Sequence, residues 1–174
     1  MVEMTEAKNP RHTFTWVTCR EVVPSEYCPK AILAIGWKKL EERLGVVFGE
    51  YVDPDLGAAR GVYFKIGEAD FVIESLSEAP TDFEYIRILV SIRIPSDKLT
   101  DYLEAIMVAT GITSTELTWV EDSIKFHAHE VWRQDDHGNK FLVERKSCKA
   151  DAVLRANELT ARGHKQMYWT EPVK

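Results

Sequence analysis

The chain has 174 residues, a formal net charge of −6, 45% hydrophobic residues and 29% charged residues. This composition is typical of a globular protein and lies outside the range of disordered chains. The acidic excess argues against bulk binding to nucleic acid, because phosphate groups are bound mainly through Lys and Arg. It is compatible with a basic protein partner and equally with plain solubility.

The cysteines and the apolar runs predict a compartment. Cys19, Cys28 and Cys148 are an odd number of thiols without a C-x-x-C pair, which favours reduced cysteines in a cytosol. The amino terminus has no apolar segment of the kind that a signal peptide needs, and the longest apolar runs are too short to cross a bilayer. We therefore expect a cytoplasmic protein that does not insert into a membrane.

The first part of the chain predicts a loose start, a strand and a helix. Residues 1–12 are polar, and residues 13–19 favour a short strand. An amphipathic helix is predicted to begin near Pro29 and to end at Gly45. Its apolar face consists of Leu33, Trp37, Leu40 and Leu44, which are spaced four, three and four residues apart.

A hairpin, a long strand and a second helix follow. Residues 61–66 and 71–76 predict the hairpin, and residues 85–94 alternate so that one face is wholly apolar. After Pro95 a helix is predicted with Gly111 just past its end, and residues 116–120 favour a short strand. We expect the core to include the residues Trp37, Leu40, Ile88, Ile92, Leu103 and Met107.

The last 53 residues differ from the rest in charge and in pattern. Residues 1–121 carry 12 basic and 20 acidic side chains, a net of −8, whereas residues 122–174 carry 10 and 8, a net of +2. Strands at 125–134 and 140–145 flank a polar turn, and Ser147 is predicted to cap a helix that runs to Arg162. A last strand is predicted over residues 164–170, which completes a ββαβ unit.

The predicted fold class is therefore α+β, an antiparallel twisted sheet flanked by helices with the ββαβ unit packed on it. The predicted organisation is a loose terminus (1–12), a main domain (13–121) and a module (122–174) continuous with it, since so small a unit buries too little surface to be stable alone. The order of elements also resembles the layout of the class I secretion chaperones.

The module has a resemblance of its own. It contains the strings VWRQDD (131–136), GN (138–139), FLVER (141–145), GHKQ (163–166) and YW (168–169). Together these strings resemble a module of bacterial proteins that are labelled as related to the sporulation-related (SPOR) repeat, and the likeness covers about the last 45 residues. It implies a bacterial origin. SPOR domains bind cell-wall glycan outside the cytoplasmic membrane, so we do not transfer glycan-binding residues to a chain without an export signal.

Catalytic and metal-binding signatures are sparse. Nucleotide-binding and hydrolase motifs such as GxxxxGK[ST], GxGxxG, GxSxG and HExxH do not occur. His127 and His129 lie two apart and share one side of a strand, and the metal ligands that could join them are Asp135, Asp136, His137 and His164. The other interpretation is an exposed strand face beside a polar turn. We predict no metal and no cofactor. Cys148 lies between two lysines at a predicted helix start, where the helix dipole would lower its pKa and make the thiol reactive. The main interpretation is instead a small buried or half-buried cysteine in the first turn of that helix.

An aromatic and basic cluster is the predicted binding surface. Its members are Trp132, Arg133, Lys165, Gln166, Tyr168 and Trp169. Trp, Tyr and Arg concentrate in binding hot spots, and such a face can also stack on bases or sugars. In the alternative interpretation, the two Trp residues only cover the core of the module.

Together these features predict a non-catalytic protein-binding protein of a bacterial cytosol, such as an immunity, adaptor or chaperone-like protein. The alternatives are a small metal-dependent enzyme that uses His127 and His129, and a module that binds sugars or single-stranded nucleic acid.

Overall fold

The computed structural model describes residues 26–53, 57–66, 69–76, 86–163 and 165–174, together with the backbone of two short strands at 4–5 and 15–17. In this part of the chain, an antiparallel sheet of eight strands, a second antiparallel sheet of three strands and three α-helices form two compact units. The predicted α+β class, with an antiparallel sheet flanked by helices, is confirmed.

The first unit comprises Met1–Leu99 and Thr115–Ser123. Its strands are β1 (Met4–Thr5), β2 (Thr15–Val17), β3 (Tyr27–Leu33), β4 (Gly49–Asp53), β5 (Gly57–Ile66), β6 (Ala69–Leu76), β7 (Ile86–Ser91) and β8 (Leu117–Val120), and its helix is α1 (Trp37–Leu44). The order across the sheet is β1-β2-β5-β6-β7-β3-β8. β4 pairs with the first half of β5 and β2 pairs with its second half, so that both occupy the same edge of that long strand.

The second unit comprises Thr100–Ser114 and Ile124–Lys174. Its elements are α2 (Leu99–Thr110), β9 (His129–Gln134), β10 (Lys140–Lys146), α3 (Lys149–Ala161) and β11 (Met167–Pro172). The first residue of α2, Leu99, still belongs to the first unit. The sheet order is β10-β9-β11, with β9 in the centre. The small core of this unit consists of Val131 from β9, Ala152, Ala156 and Leu159 from α3, and Tyr168 from β11 at its margin. The predicted ββαβ order is therefore present.

Hydrogen bonds explain why residues 100–114 belong to the second unit. The Glu104 carboxylate accepts a hydrogen bond from the backbone N–H of Lys149 at 2.8 Å, and the Asp151 carboxylate accepts from both the N–H and the hydroxyl of Ser114. Both acidic groups thus lie at the start of α3, where the helix dipole favours negative charge. The predicted domains, 13–121 and 122–174, remain a prediction about folding units.

The prediction of a helix from Pro29 onward is wrong in its first half. Residues 27–33 form β3, and α1 begins only at Trp37. β3 lies between β7 and β8, so that Ala31 and Leu33 are buried inside the sheet. The register shifts between Pro29 and Ala31, and such an irregularity accommodates a proline that has no N–H to donate.

The predicted core is confirmed for four residues and wrong for one. Leu40, Ile88, Leu103 and Met107 are at most 1% exposed, whereas Ile92 is 58% exposed. β7 ends at Ser91, so Ile92 follows in a turn where the alternation of the strand no longer applies. Trp37 is half-buried, and the guanidinium of Arg60 lies 4.2 Å from its ring centre.

The boundaries of the C-terminal elements also shift. β9 begins at His129, four residues later than predicted, and β11 spans Met167–Pro172. The predicted cap, Ser147, is wrong, because Cys148 occupies the N-cap position of α3 and its sulfur accepts from the N–H of Asp151 at 3.4 Å.

Candidate protein-binding surface on the C-terminal sheet

The three-stranded sheet has two different faces because side chains alternate along each strand. On β9, Val131 is fully buried against α3, so its neighbour Trp132 projects from the opposite face. Trp132 pairs with Leu142 on β10 and with Trp169 on β11. Residues that are directly opposite each other in antiparallel strands share a face. These three side chains therefore form a row across the sheet on the side away from α3.

We call this side the open face. By register, its first row is Lys140, Gln134 and Met167, its second row is Leu142, Trp132 and Trp169, and its third row is Arg145, Glu130 and Glu171. Leu142 is 43% exposed and Met167 is 65% exposed, while both Trp rings are half-buried. The open face is thus an apolar row between two rows that carry charge.

Polar contacts hold the two Trp rings in place. The indole N–H of Trp132 donates to the Glu130 carboxylate at 3.1 Å, and that of Trp169 donates to the Glu171 carboxylate at 2.9 Å. Glu130 also accepts from the guanidinium of Arg145 at 2.9 Å. Because each indole N–H has a partner two residues away on its own strand, the rings present fixed apolar surface without an unpaired donor.

The six residues of the predicted binding cluster do not share one face. Arg133 pairs with Tyr168 and with Phe141, on the side of α3. Its guanidinium lies 4.8 Å from the Phe141 ring centre, and it donates to the side-chain oxygen of Gln166 at 3.1 Å. The Tyr168 hydroxyl donates to the same oxygen at 3.0 Å. Only Trp132 and Trp169 lie on the open face; Lys165 is exposed just before β11.

Leu142 and Met167 were missed as members of this surface. The signal for Leu142 is present in the sequence, since the turn at residues 135–139 fixes the register of the hairpin and thus which residues of β10 lie beside Trp132. The position of β11 beside β9 had no comparable signal.

The polar turn is held by its own side chains. The Asp135 carboxylate accepts from the backbone N–H of His137 and of Asn139, each at 2.9 Å, and from the side-chain amide of Asn139 at 3.0 Å. The hydrogen bond from the Asn139 side chain is the main cause that lowers the pKa of Asp135 below its usual value. Gly138 has a φ of +83°, which glycine adopts without strain. The Asp135 carboxylate therefore stabilises the turn.

The structure does not bring the predicted metal ligands together within the part of the chain that it describes. No group of three or more His, Cys, Asp or Glu residues there is arranged to hold a metal ion. His127 is exposed ahead of β9, and a ring nitrogen of His129 lies 3.0 Å from the backbone carbonyl oxygen of His127. His137 and Asp136 are exposed in the turn, and His164 lies outside the described residues.

The hypothesis that the helix dipole lowers the pKa of Cys148 is wrong. Its side chain is fully buried, and removal of the thiolate from water raises the pKa to about 11. The nearby carboxylates of Asp151 and Glu104 act in the same direction. Cys148 is thus a small apolar residue of the unit interior.

We expect Cys148 to resist alkylation at pH 7. A pKa of about 11 leaves roughly one thiolate in ten thousand at that pH, and the thiolate is the nucleophile. In a variant with Cys19→Ser and Cys28→Ser, iodoacetamide should modify the folded chain far more slowly than the urea-unfolded chain, as followed by mass spectrometry. Equal rates in the two states would contradict the burial of this thiol.

A second buried feature lies in the first unit and has no sequence signal. Glu74 is fully buried on β6, and its carboxylate accepts hydrogen bonds from the Tyr51 hydroxyl and from the guanidinium of Arg87. Gly61 lies opposite Glu74 on β5, where an added Cβ would come within 2.7 Å of the Ile73 carbonyl oxygen. Glycine is thus needed at this position.

Comparison with protein-family models, with curated proteins and with solved structures finds no match to the chain. No helix among the described residues has the length and apolar content that crossing a bilayer requires. The SPOR-like string and the chaperone-like order of elements therefore remain predictions from the sequence.

Proposed function

We propose that the chain is a non-catalytic protein-binding protein of a bacterial cytosol and that the open face of its C-terminal sheet is the binding surface. The observation that carries this proposal is the apolar row Leu142–Trp132–Trp169, in which Leu142 is exposed, both Trp rings are half-buried, and the indole rings are fixed by carboxylates on their own strands. Trp residues held in this way lose little conformational entropy on binding and are common anchors at interfaces.

The distribution of charge favours a protein over a nucleic acid. The open face carries two cations, Lys140 and Arg145, and two carboxylates, Glu130 and Glu171. A surface that follows a phosphate backbone needs an excess of Lys and Arg. An apolar centre with a rim of mixed charge is instead the common arrangement of a protein interface.

The test is capture by the tagged chain from a lysate of cells that also express the untagged chain. Leu142→Glu places a carboxylate in the apolar row, and we expect it to lower the captured amount of the bound protein by at least about tenfold, which is the size of a hot-spot loss. Quantitative mass spectrometry measures the loss and identifies what was bound.

Val47→Glu is the matched control, because Val47 is 74% exposed in the first unit and receives the same charge. Capture should be unchanged in this variant. Equal capture by Leu142→Glu and by the original chain would overturn the open face as the binding surface. Loss that is equal in both variants would mean that added negative charge, and not the open face, controls capture.

A further inference from the structure

The two outer strands of the open face carry different groups at matching levels. In the first, second and third rows of the open face, β10 carries Lys140, Leu142 and Arg145. In the same three rows, β11 carries Met167, Trp169 and Glu171. Trp132 lies between them on the central strand. The ammonium group of Lys140 lies 5.5 Å from the ring centre of Trp169, so the charged groups on opposite edges are Arg145 on β10 and Glu171 on β11.

This arrangement is complementary to itself. A two-fold axis that runs along β9, in the plane between two facing sheets, brings β10 of one copy over β11 of the other at the same level. Arg145 then faces Glu171 of the second copy, Leu142 faces Trp169, and Trp132 faces its own equivalent. Interfaces with two-fold symmetry require such pairing of a patch with itself.

The remaining charge on the face does not oppose this pairing. Glu130 meets its own equivalent across the axis, but its side chain is only 13% exposed and its carboxylate is engaged by Trp132 and Arg145. An axis perpendicular to the strands would instead bring Lys140 over Arg145, which are like charges. The charges thus select the axis along β9.

We infer that the partner of the open face is a second copy of this chain, bound face to face about an axis along β9. This inference rests on the proposed function, since it names the occupant of the same surface. Three strands of six or seven residues span about 300 Å², which is well below the roughly 800 Å² per partner of a standard interface. The dimer is therefore weak and depends on concentration.

Sedimentation equilibrium of the full chain between 10 μM and 1 mM tests the inference. We expect a reversible monomer–dimer equilibrium that Arg145→Glu and Glu171→Arg each weaken by at least tenfold, because each creates two like-charge contacts across the axis. An equimolar mixture of the two variants should dimerise again, since all four groups then meet opposite charges.

Lys39→Glu is the control for charge reversal, because Lys39 is exposed on α1 of the first unit. It should leave the equilibrium unchanged. Arg145→Glu also removes the contact with Glu130, and Glu171→Arg also removes the acceptor of the Trp169 indole N–H, so the thermal unfolding of each variant is measured. If one variant is unstable, the other carries the test.

A chain that is monomeric at 1 mM overturns the second copy as the partner. So does a dimer that neither Arg145→Glu nor Glu171→Arg weakens, or a mixture that stays monomeric. If the chain is monomeric and Leu142→Glu still lowers the captured amount of a different protein, only the inference of a second copy fails. If Leu142→Glu lowers the captured amount of no protein, the proposed function fails as well.

Discussion

Glu74→Gln should lower the free energy of unfolding by about 3–5 kcal/mol, the usual cost of breaking a buried ion pair. Glu74 is fully buried and accepts hydrogen bonds from Tyr51 and Arg87. A neutral amide would remove the counter-charge of the Arg87 guanidinium. Water would not compensate for this loss, because only 15% of the Arg87 side chain is exposed. Urea unfolding followed by circular dichroism measures the change.

The control for this prediction removes both charges together. The double variant Glu74→Leu with Arg87→Met replaces the pair by apolar groups, and such replacements are often neutral or stabilising, although this one also removes the Glu74 acceptor of the Tyr51 hydroxyl. We therefore expect it to be more stable than Glu74→Gln. A cost below about 1 kcal/mol for Glu74→Gln alone would show that water reaches Arg87 and that the pair is not isolated.

Val131→Lys should lower the free energy of unfolding by more than about 4 kcal/mol and abolish the folded second unit, because it would place a charge among the apolar side chains of the core. Val131 is 0% exposed and packs with Ala152, Ala156 and Leu159 of α3. Nuclear magnetic resonance of the full chain would follow the loss of signals from the second unit.

Leu142→Lys is the matched control, since it places the same charge on the other face of the same hairpin. Leu142 is 43% exposed, so the cost should stay within about 1 kcal/mol. If Leu142→Lys were as harmful as Val131→Lys, Leu142 would not lie on an exposed face and the assignment of the open face would be wrong.

Part of the second unit could be predicted because its signals are local. The turn at Asp135–Asn139 is closed by hydrogen bonds between residues four or fewer apart, and a register follows from it. The helix pattern likewise predicts an inner side of α3 made of Ala152, Val153, Ala156 and Leu159, of which all but the half-buried Val153 are buried. Periodicity and turn chemistry act over a few residues, so the sequence itself carries them.

The candidate surface could be predicted only in part. The sequence identifies Trp132 and Trp169, but the predicted cluster also contains Arg133 and Tyr168, although the alternation along β9 sends neighbouring side chains to opposite faces. Leu142 and Met167 were absent from the grouping. The content of the surface depends on which strand lies beside which, and that pairing joins residues 132 and 169, far apart in sequence.

Local sequence patterns therefore predict the α+β class, the hairpin, the third helix and four of the six expected core residues. Long-range contacts place Tyr27–Leu33 as β3 between two other strands, leave Ile92 beyond the end of β7, and join Glu74 to Tyr51 and Arg87. For Cys148, the fold selects the buried cysteine over the reactive thiol, because burial raises its pKa. In each of these cases the deciding contact joins distant parts of the chain or removes a group from water, and no local pattern reports either effect.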